Sequence, residues 1–167
     1  FAEWNGNGSP EGVVIIEYLQ NKYQILLRAK LGFLEFRDLD NDGVDELCGI
    51  ASPSQIARVA EPSFLVVYTY KDNKYVSSYE MTKQLHEERL KKCEEEFAEN
   101  QDETSLSWLL GLCAVGGFLD RGKKLISENE DLILRSGSTP EEIYEWFNIL
   151  FISRLESWEQ VRAGKWM

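Results

Sequence analysis

A run of alternating acidic residues is the feature that most restricts how this chain can fold. Residues 38–46 read DLDNDGVDE, with a carboxylate or amide at every second position and then a glycine. Alternate side chains of a tight loop turn to the same side, and Gly43 permits the sharp bend that follows. The candidate side-chain ligands are Asp38, Asp40, Asp42 and either Asp45 or Glu46. We therefore predict a loop that holds a calcium-like cation.

Two other structures could explain the same residues: an ordinary solvated turn and an EF-hand. Asp, Asn and Gly are the usual turn residues, but three alternating aspartates are more than a turn requires, and unpaired carboxylates so close together would repel one another. An EF-hand needs a bidentate Glu at its twelfth position and a helix on each side. The twelfth residue from Asp38 is Gly49, and the flanking segments LGFLEF and LCGI have the character of strands. We favour a cation loop between strands.

The pattern occurs twice. Residues 3–11 match residues 38–46 at an offset of 35, and residues 13–24 match residues 65–76 at an offset of 52. The second copy therefore carries an insertion of 17 residues, roughly between residues 47 and 64, which is our candidate for partner contact. Similarity at a fixed spacing indicates two units of loop, strand, turn and strand. The residues of the first loop that match the candidate ligands are Glu3, Asn5, Asn7 and Glu11.

Loop and hairpin together resemble the FG-GAP/VCBS-like repeats, in which an Asp-x-Asp-x-Asp-Gly-x-x-Glu/Asp loop binds calcium between strands. The resemblance covers about the first 80 residues, and its one sharp motif is DLDNDGVDEL. It implies that Asp38, Asp40, Asp42 and Glu46 are side-chain ligands and that Val44 offers its carbonyl. The first loop departs from the family pattern, since amides replace two carboxylates and Glu3 replaces the leading Asp. Fewer charges imply a weaker second site.

The periodicity changes from strand-like to helical after Tyr79. We expect an α+β fold with a small antiparallel β region over residues 1–80 and an α-helical bundle over residues 81–167, either separate or packed as one domain. Helices are predicted over residues 81–99, 105–119, 121–134 and 140–163, with capping residues in Asp102-Glu103-Thr104-Ser105 before the second. Thr139-Pro140-Glu141-Glu142 has the pattern of a capping box with proline at the first helical position.

Three cysteines leave two interpretations open. Cys48 lies in a predicted buried strand and is expected to be a small core residue. Cys93 and Cys113 would face each other if residues 81–99 and 105–119 form an antiparallel helical hairpin. A disulfide between them would imply an oxidising compartment, and a pair of buried free thiols fits equally well.

Composition excludes several classes of protein. The net charge of −11 argues against binding nucleic acid or an anionic membrane. The most apolar run, residues 106–119, is shorter than the roughly 20 residues needed to span a bilayer. His86, the single histidine, lies on the apolar stripe of its predicted helix, where a buried histidine is more common than a catalytic one.

These features predict a calcium-binding, non-enzymatic interaction module that binds another protein, as an inhibitor, an immunity-type protein or an envelope protein. The resemblance implies a periplasmic or extracellular location, and the chain, which starts at Phe1, is expected to be a processed form or a fragment. The alternative is a metal-assisted hydrolase whose site lies between the sheet and the helices, with His86 or a glutamate as its base.

Overall fold

In the part of the chain that the structure describes, seven strands are followed by five helices. The computed structural model describes residues 2–4, 10–29, 32, 34–51 and 62–165. Strands occupy the N-terminal half and helices the C-terminal half, so the predicted α+β class is confirmed. Among the described residues, no helix combines the length and the apolar character needed to cross a membrane.

The strands form two antiparallel sheets. The first sheet has three strands in the order β1-β2-β3, and the second has four in the order β4-β5-β6-β7. Every neighbouring pair of strands is antiparallel. The bounds are β1 Ala2–Trp4, β2 Pro10–Leu19, β3 Lys22–Ala29, β4 Leu34–Arg37, β5 Glu46–Ala51, β6 Phe64–Lys71 and β7 Lys74–Ser77.

The repeated hairpin is present in both sheets. Strands β2 and β3 turn at Gln20 and Asn21, and strands β6 and β7 turn at Asp72 and Asn73, each with positive φ at both turn residues. Such two-residue turns match the right-handed twist of the strands that they join. The two copies differ after the loop. In the first copy a single strand, β2, pairs with both β1 and β3. In the second copy two strands take these places, since β5 pairs with β4 and β6 pairs with β7. Residues 47–51 of the insertion lie in β5, and residues 52–61 lie outside the described residues.

Five helices follow, one more than the sequence predicted. They are α1 Tyr79–Asn100, α2 Glu103–Val115, α3 Leu119–Glu128, α4 Glu130–Arg135 and α5 Pro140–Arg162. The helix predicted over residues 105–119 ends at Val115, and Gly117 follows with φ of +81°. The helix predicted over residues 121–134 is two helices, which meet at Asn129. The side-chain Nδ2 of Asn129 donates to the carbonyl of Leu125 at 2.8 Å, so this side chain caps α3 where α4 begins.

Both predicted helix starts are confirmed by hydrogen bonds. The Ser105 amide donates to Asp102 Oδ1 at 2.7 Å, which caps α2. At the start of α5, the Thr139 amide donates to Glu142 Oε2 at 2.8 Å, and the Glu142 amide donates to Thr139 Oγ1 at 3.2 Å. This reciprocal pair is a capping box.

The chain divides into two compact units. One contains the seven strands, the first turn of α1 and the last residues of α5, from residue 159 onwards; the other contains residues 83–158 with Pro62. Buried residues of the strand unit include Val13, Leu27, Leu47, Phe64, Val66, Val67, Tyr68 and Val161. Buried residues of the helical unit include Leu90, Leu106, Leu109, Leu110, Ile126, Ile133, Phe147, Leu150 and Trp158. The boundary near residue 82 lies close to the one drawn at residue 80 from the sequence, but the sequence did not indicate that the end of α5 joins the strands.

Candidate metal site

The acidic loop joins β4 to β5 and is closed by their pairing. Arg37 and Glu46, the residues on either side of the loop, are partners in the antiparallel ladder. The loop reverses direction through Asn41, with φ of +60°, and Gly43, with φ of +87°. Glycine adopts this conformation at little cost, and asparagine is the residue that tolerates it next best. The residue types of the sequence therefore match the backbone of the loop.

Backbone amides of the loop orient its three aspartates. Asp38 accepts hydrogen bonds from the amides of Asp42, at 3.2 Å, and Gly43, at 3.1 Å. Asp40 Oδ1 also accepts from the Asp42 amide, at 3.2 Å, and Asp42 Oδ1 accepts from the Val44 amide at 2.7 Å. Each carboxylate is thus held towards the inside of the loop by a short-range bond, and each retains oxygen lone pairs for another ligand.

The three carboxylates form one cluster. One oxygen from each of Asp38, Asp40 and Asp42 lies within 4.8 Å of the others, with Asp38 half-buried and the other two exposed. Three negative charges at this separation repel one another, and a cation between them would reverse the sign of that interaction. Carboxylate oxygens are hard ligands, which calcium and magnesium prefer.

Glu46, the fourth predicted side-chain ligand, lies outside the cluster. It is 3% exposed, and its Oε2 accepts a hydrogen bond from the Leu39 amide at 2.9 Å. Burial raises the pKa of Glu46; the Leu39 bond opposes this, and Asp40, Asp42 and Asp38 raise the pKa further. Glu46 therefore ties the start of the loop to β5. Sequence reasoning missed Leu39, because its contribution comes from a backbone amide that any residue except proline would supply.

The remaining predicted ligands are described only in part. The amide of Val44 is bonded to Asp42, and its side chain is exposed. In the first loop, Glu3 lies on β1 and Glu11 on β2, while Asn5 and Asn7 lie outside the described residues.

All three cysteines are buried free thiols. Cys93 and Cys113 are not bridged, so the structure has the unbridged form of the two that the sequence left open. Burial raises the pKa of Cys113 to about 12, with Glu94 and Cys93 acting in the same direction and Arg121 opposing them. Burial likewise raises the pKa of Cys48 to about 11. Thiols with such values are poor nucleophiles at neutral pH.

His86 is buried in the helical unit. It is 2% exposed, and its ring centroid lies 5.3 Å from that of Trp158, with the planes inclined at 54°. A general base has to reach its substrate, directly or through one water molecule. The position of His86 fits a core residue better than a catalytic one.

Comparison of the chain with family models, with curated proteins and with solved structures finds no match.

Proposed function

We propose that this chain is a calcium-binding, non-enzymatic interaction module. The observation that carries the proposal is the cluster of Asp38, Asp40 and Asp42, whose oxygens converge within 4.8 Å in a loop held by its own amides. A bound cation would neutralise these charges and join the two halves of the β4–β5 loop. The ion would then stabilise the loop in this conformation.

Calcium is favoured over magnesium by the ligand set. Magnesium requires near-ideal octahedral geometry and retains its water molecules, whereas calcium accepts six to eight oxygens in flexible arrangements. The resemblance to calcium loops of the FG-GAP/VCBS type supports the same choice. Two of the three carboxylates are exposed, and open sites with few charges belong to the weak class, with dissociation constants of about 10⁻⁴ to 10⁻³ M. Extracellular modules typically bind calcium with dissociation constants in this range, which supports a periplasmic or extracellular location.

The role of the ion would be structural, and the ligand of the module would be a protein. The acidic surface, with a net charge of −11, suits a partner with a basic contact surface. An inhibitor, an immunity-type protein or an envelope protein would meet this description. Capture of the partner from extracts in calcium, and its release by a chelator, would distinguish a calcium-ordered contact from a calcium-independent one.

The metal site itself is tested by thermal unfolding of the full chain with calcium, with magnesium and with a chelator. Calcium at one hundred times its dissociation constant should stabilise the native state by about 2.7 kcal/mol. Asp40→Asn, which keeps the size of the side chain and removes one charge, should abolish most of this stabilisation. Glu35→Gln is the matched control, because Glu35 is an exposed acid of β4, near the loop but outside it. A full calcium response in Asp40→Asn would refute the proposed site.

A further inference from the structure

The first hairpin exposes an apolar face. Ile16 pairs with Ile25 and Tyr18 pairs with Tyr23 across β2 and β3, so the four side chains share one face of the sheet. They are between 41% and 80% exposed, and the two tyrosine rings lie 4.8 Å apart. Soluble proteins seldom expose contiguous patches of this kind without a use for them. We call these four residues the hairpin face.

This face is not the core side of its own sheet. Val13, Leu27 and Ala29, which lie on the same two strands, are buried. The hairpin has therefore already buried one side against the strand unit. Ile16 lies on the other side of β2, and the register shift after Ile15 pairs Ile25 with it, away from the side of Leu27.

The second hairpin has the same registry, but the pair farther from its turn is buried. Tyr68 and Ser77 occupy the positions that Ile16 and Ile25 occupy in the first hairpin, and they too are paired. They are only 1% and 7% exposed. The Ser77 hydroxyl donates to the backbone carbonyl of Val161, in the last turn of α5, at 3.4 Å. The end of α5 thus contacts the second hairpin at the pair that is open in the first, whereas Tyr70, which matches Tyr18, is 38% exposed.

The chain also has a helix surface without a cover. Ile149, Ile152 and Leu155 recur at intervals of three along α5 and are 44–64% exposed. Phe147 and Leu150 project from the other side of the helix and are buried. We call the three exposed residues the helix stripe.

The two apolar surfaces have flanking charges of opposite sign. Arg28, paired with Val14, lies at the end of the hairpin face away from the turn and is exposed, whereas Lys22 pairs with Leu19 and lies on the opposite face of the hairpin. Glu145 and Glu156 are also exposed, four residues before Ile149 and four after Ile152, so they lie on the same side of α5 as the helix stripe. Opposite charges around two apolar surfaces favour their association and fix its orientation.

We propose that the hairpin face of one copy of this chain binds the helix stripe of a second copy. The contact joins two different surfaces, so it is heterologous. It consists of one hairpin and about two turns of one helix, which places it among the small interfaces of weak affinity. The net charge of −11 opposes association at long range, and physiological salt reduces this repulsion.

The test begins with sedimentation of the full chain over a range of concentrations. Between about 10 µM and about 1 mM, in roughly 0.15 M salt, the mean mass should rise above that of the monomer. Calcium and chelator should give the same association, because neither surface includes the acidic loop. A monomer over the whole range would overturn the proposal without affecting the calcium site.

Variants of each surface should prevent association separately. Tyr23→Thr with Ile25→Thr keeps residues that favour strands, and Ile149→Gln with Ile152→Gln keeps residues that favour helices. Each double variant alone should weaken self-association at least about tenfold. Their mixture should form one-to-one pairs, since each variant retains the surface that the other lacks. A mixture that stays monomeric, or a variant that associates like the unaltered chain, would contradict the proposed contact.

Matched controls separate the contact from general loss of apolar surface. Phe36→Thr on β4 and Leu134→Gln on α4 remove exposed side chains outside both surfaces and should leave association unchanged. Arg28→Glu and Glu156→Lys should each weaken association about threefold, and mixing these two variants should restore it. Loss of association in the control variants would rule the contact out. So would a result in which neither the mixture of the two charge variants nor the mixture of the two apolar double variants restores association.

Discussion

At the scale of single residues, short-range bonds from side chains to backbone amides shape this protein. Asp38 and Asp42 bond to amides within their own loop, and Asp102 and Thr139 bond to amides at the starts of helices. Each bond joins residues two to four positions apart, so its geometry depends on local sequence alone. The sequence had predicted a loop at the aspartates, capping residues within 102–105 and a capping box at 139–142.

Asp102 provides a prediction with a defined pH dependence. Hydrogen bonds from the amide and the hydroxyl of Ser105 lower the pKa of Asp102 in the folded state. A lowered pKa means that the carboxylate stabilises the fold above its unfolded pKa, and that this contribution is lost as the pH falls through the folded pKa. Asp102→Ala should therefore lower the melting temperature at about pH 7 and have less effect as the pH approaches about 2.

Circular dichroism during heating measures this effect. Asp102→Asn is the control, since asparagine can accept the same amide bond without titrating. It should melt close to the unaltered chain near neutral pH and should lack the pH dependence that Asp102 contributes. An alanine variant as stable as the unaltered chain at neutral pH would show that the cap contributes nothing.

At the scale of elements, turns and close packing determine how strands and helices meet. Both hairpins turn through two residues with positive φ, and the second of these is an asparagine in each, Asn21 and Asn73. Helices α3 and α5 approach closely where Gly122 faces the ring of Phe147. Small or permissive residues occupy these positions because larger or stiffer ones would not fit.

Asn73 tests the turn. Residues with a Cβ are strained at positive φ by roughly 1–2 kcal/mol, a cost that glycine avoids and asparagine partly avoids. Asn73→Ala should lower the free energy of unfolding by about 1 kcal/mol, whereas Asn73→Gly should leave it unchanged or raise it slightly. Urea denaturation of the two variants measures the difference. Equal stabilities would mean that the turn adapts its conformation to the substitution.

Gly122 tests the packing of α3 on α5. A Cβ at this position would overlap the ring of Phe147, which is fully buried and has little freedom to move. Gly122→Ala should therefore destabilise the protein by about 1–3 kcal/mol, although alanine favours helices more than glycine does. Lys123→Ala, at the next and exposed position of α3, is the control and should be nearly neutral in urea denaturation. A gain in stability from Gly122→Ala would show that helix propensity outweighs the overlap.

At the scale of the whole molecule, contacts between distant parts of the chain define two units. In the helical unit, Trp158 of α5 donates from Nε1 to the carbonyl of Val115 at 3.0 Å and packs beside His86 of α1. This one side chain connects three helices that are far apart in sequence. In the strand unit, the last turn of α5 bonds to Ser77 at the end of β7.

Trp158 tests this connection. Trp158→Phe removes the donor to a buried carbonyl and reduces the packed volume, so the free energy of unfolding should fall by about 1–3 kcal/mol. Trp108→Phe alters a partly exposed tryptophan of α2 and should have little effect. Chemical denaturation followed by circular dichroism compares the two. Equal losses would indicate that the hydrogen bond to Val115 contributes nothing of its own.

Some features of the structure depend on contacts that local patterns do not encode. The helix predicted over residues 121–134 ends early because the side chain of Asn129 caps α3. Glu46 was grouped with the aspartates by spacing, but its burial and its bond to Leu39 separate it from them. The sequence left the state of Cys93 and Cys113 open, since spacing along two helices does not fix the distance between sulfur atoms.

The sequence by itself determined the order of strands and helices, the two hairpins, the helix caps and the cluster of three aspartates. Each of these depends on residues a few positions apart, where the choice of residue restricts the backbone directly. Only the tertiary structure decided that the end of α5 belongs with the strands, and that it covers Ser77 while Ile25 stays exposed. Burial depends on which distant segment supplies the apolar cover, and two hairpins of similar sequence can therefore have opposite environments.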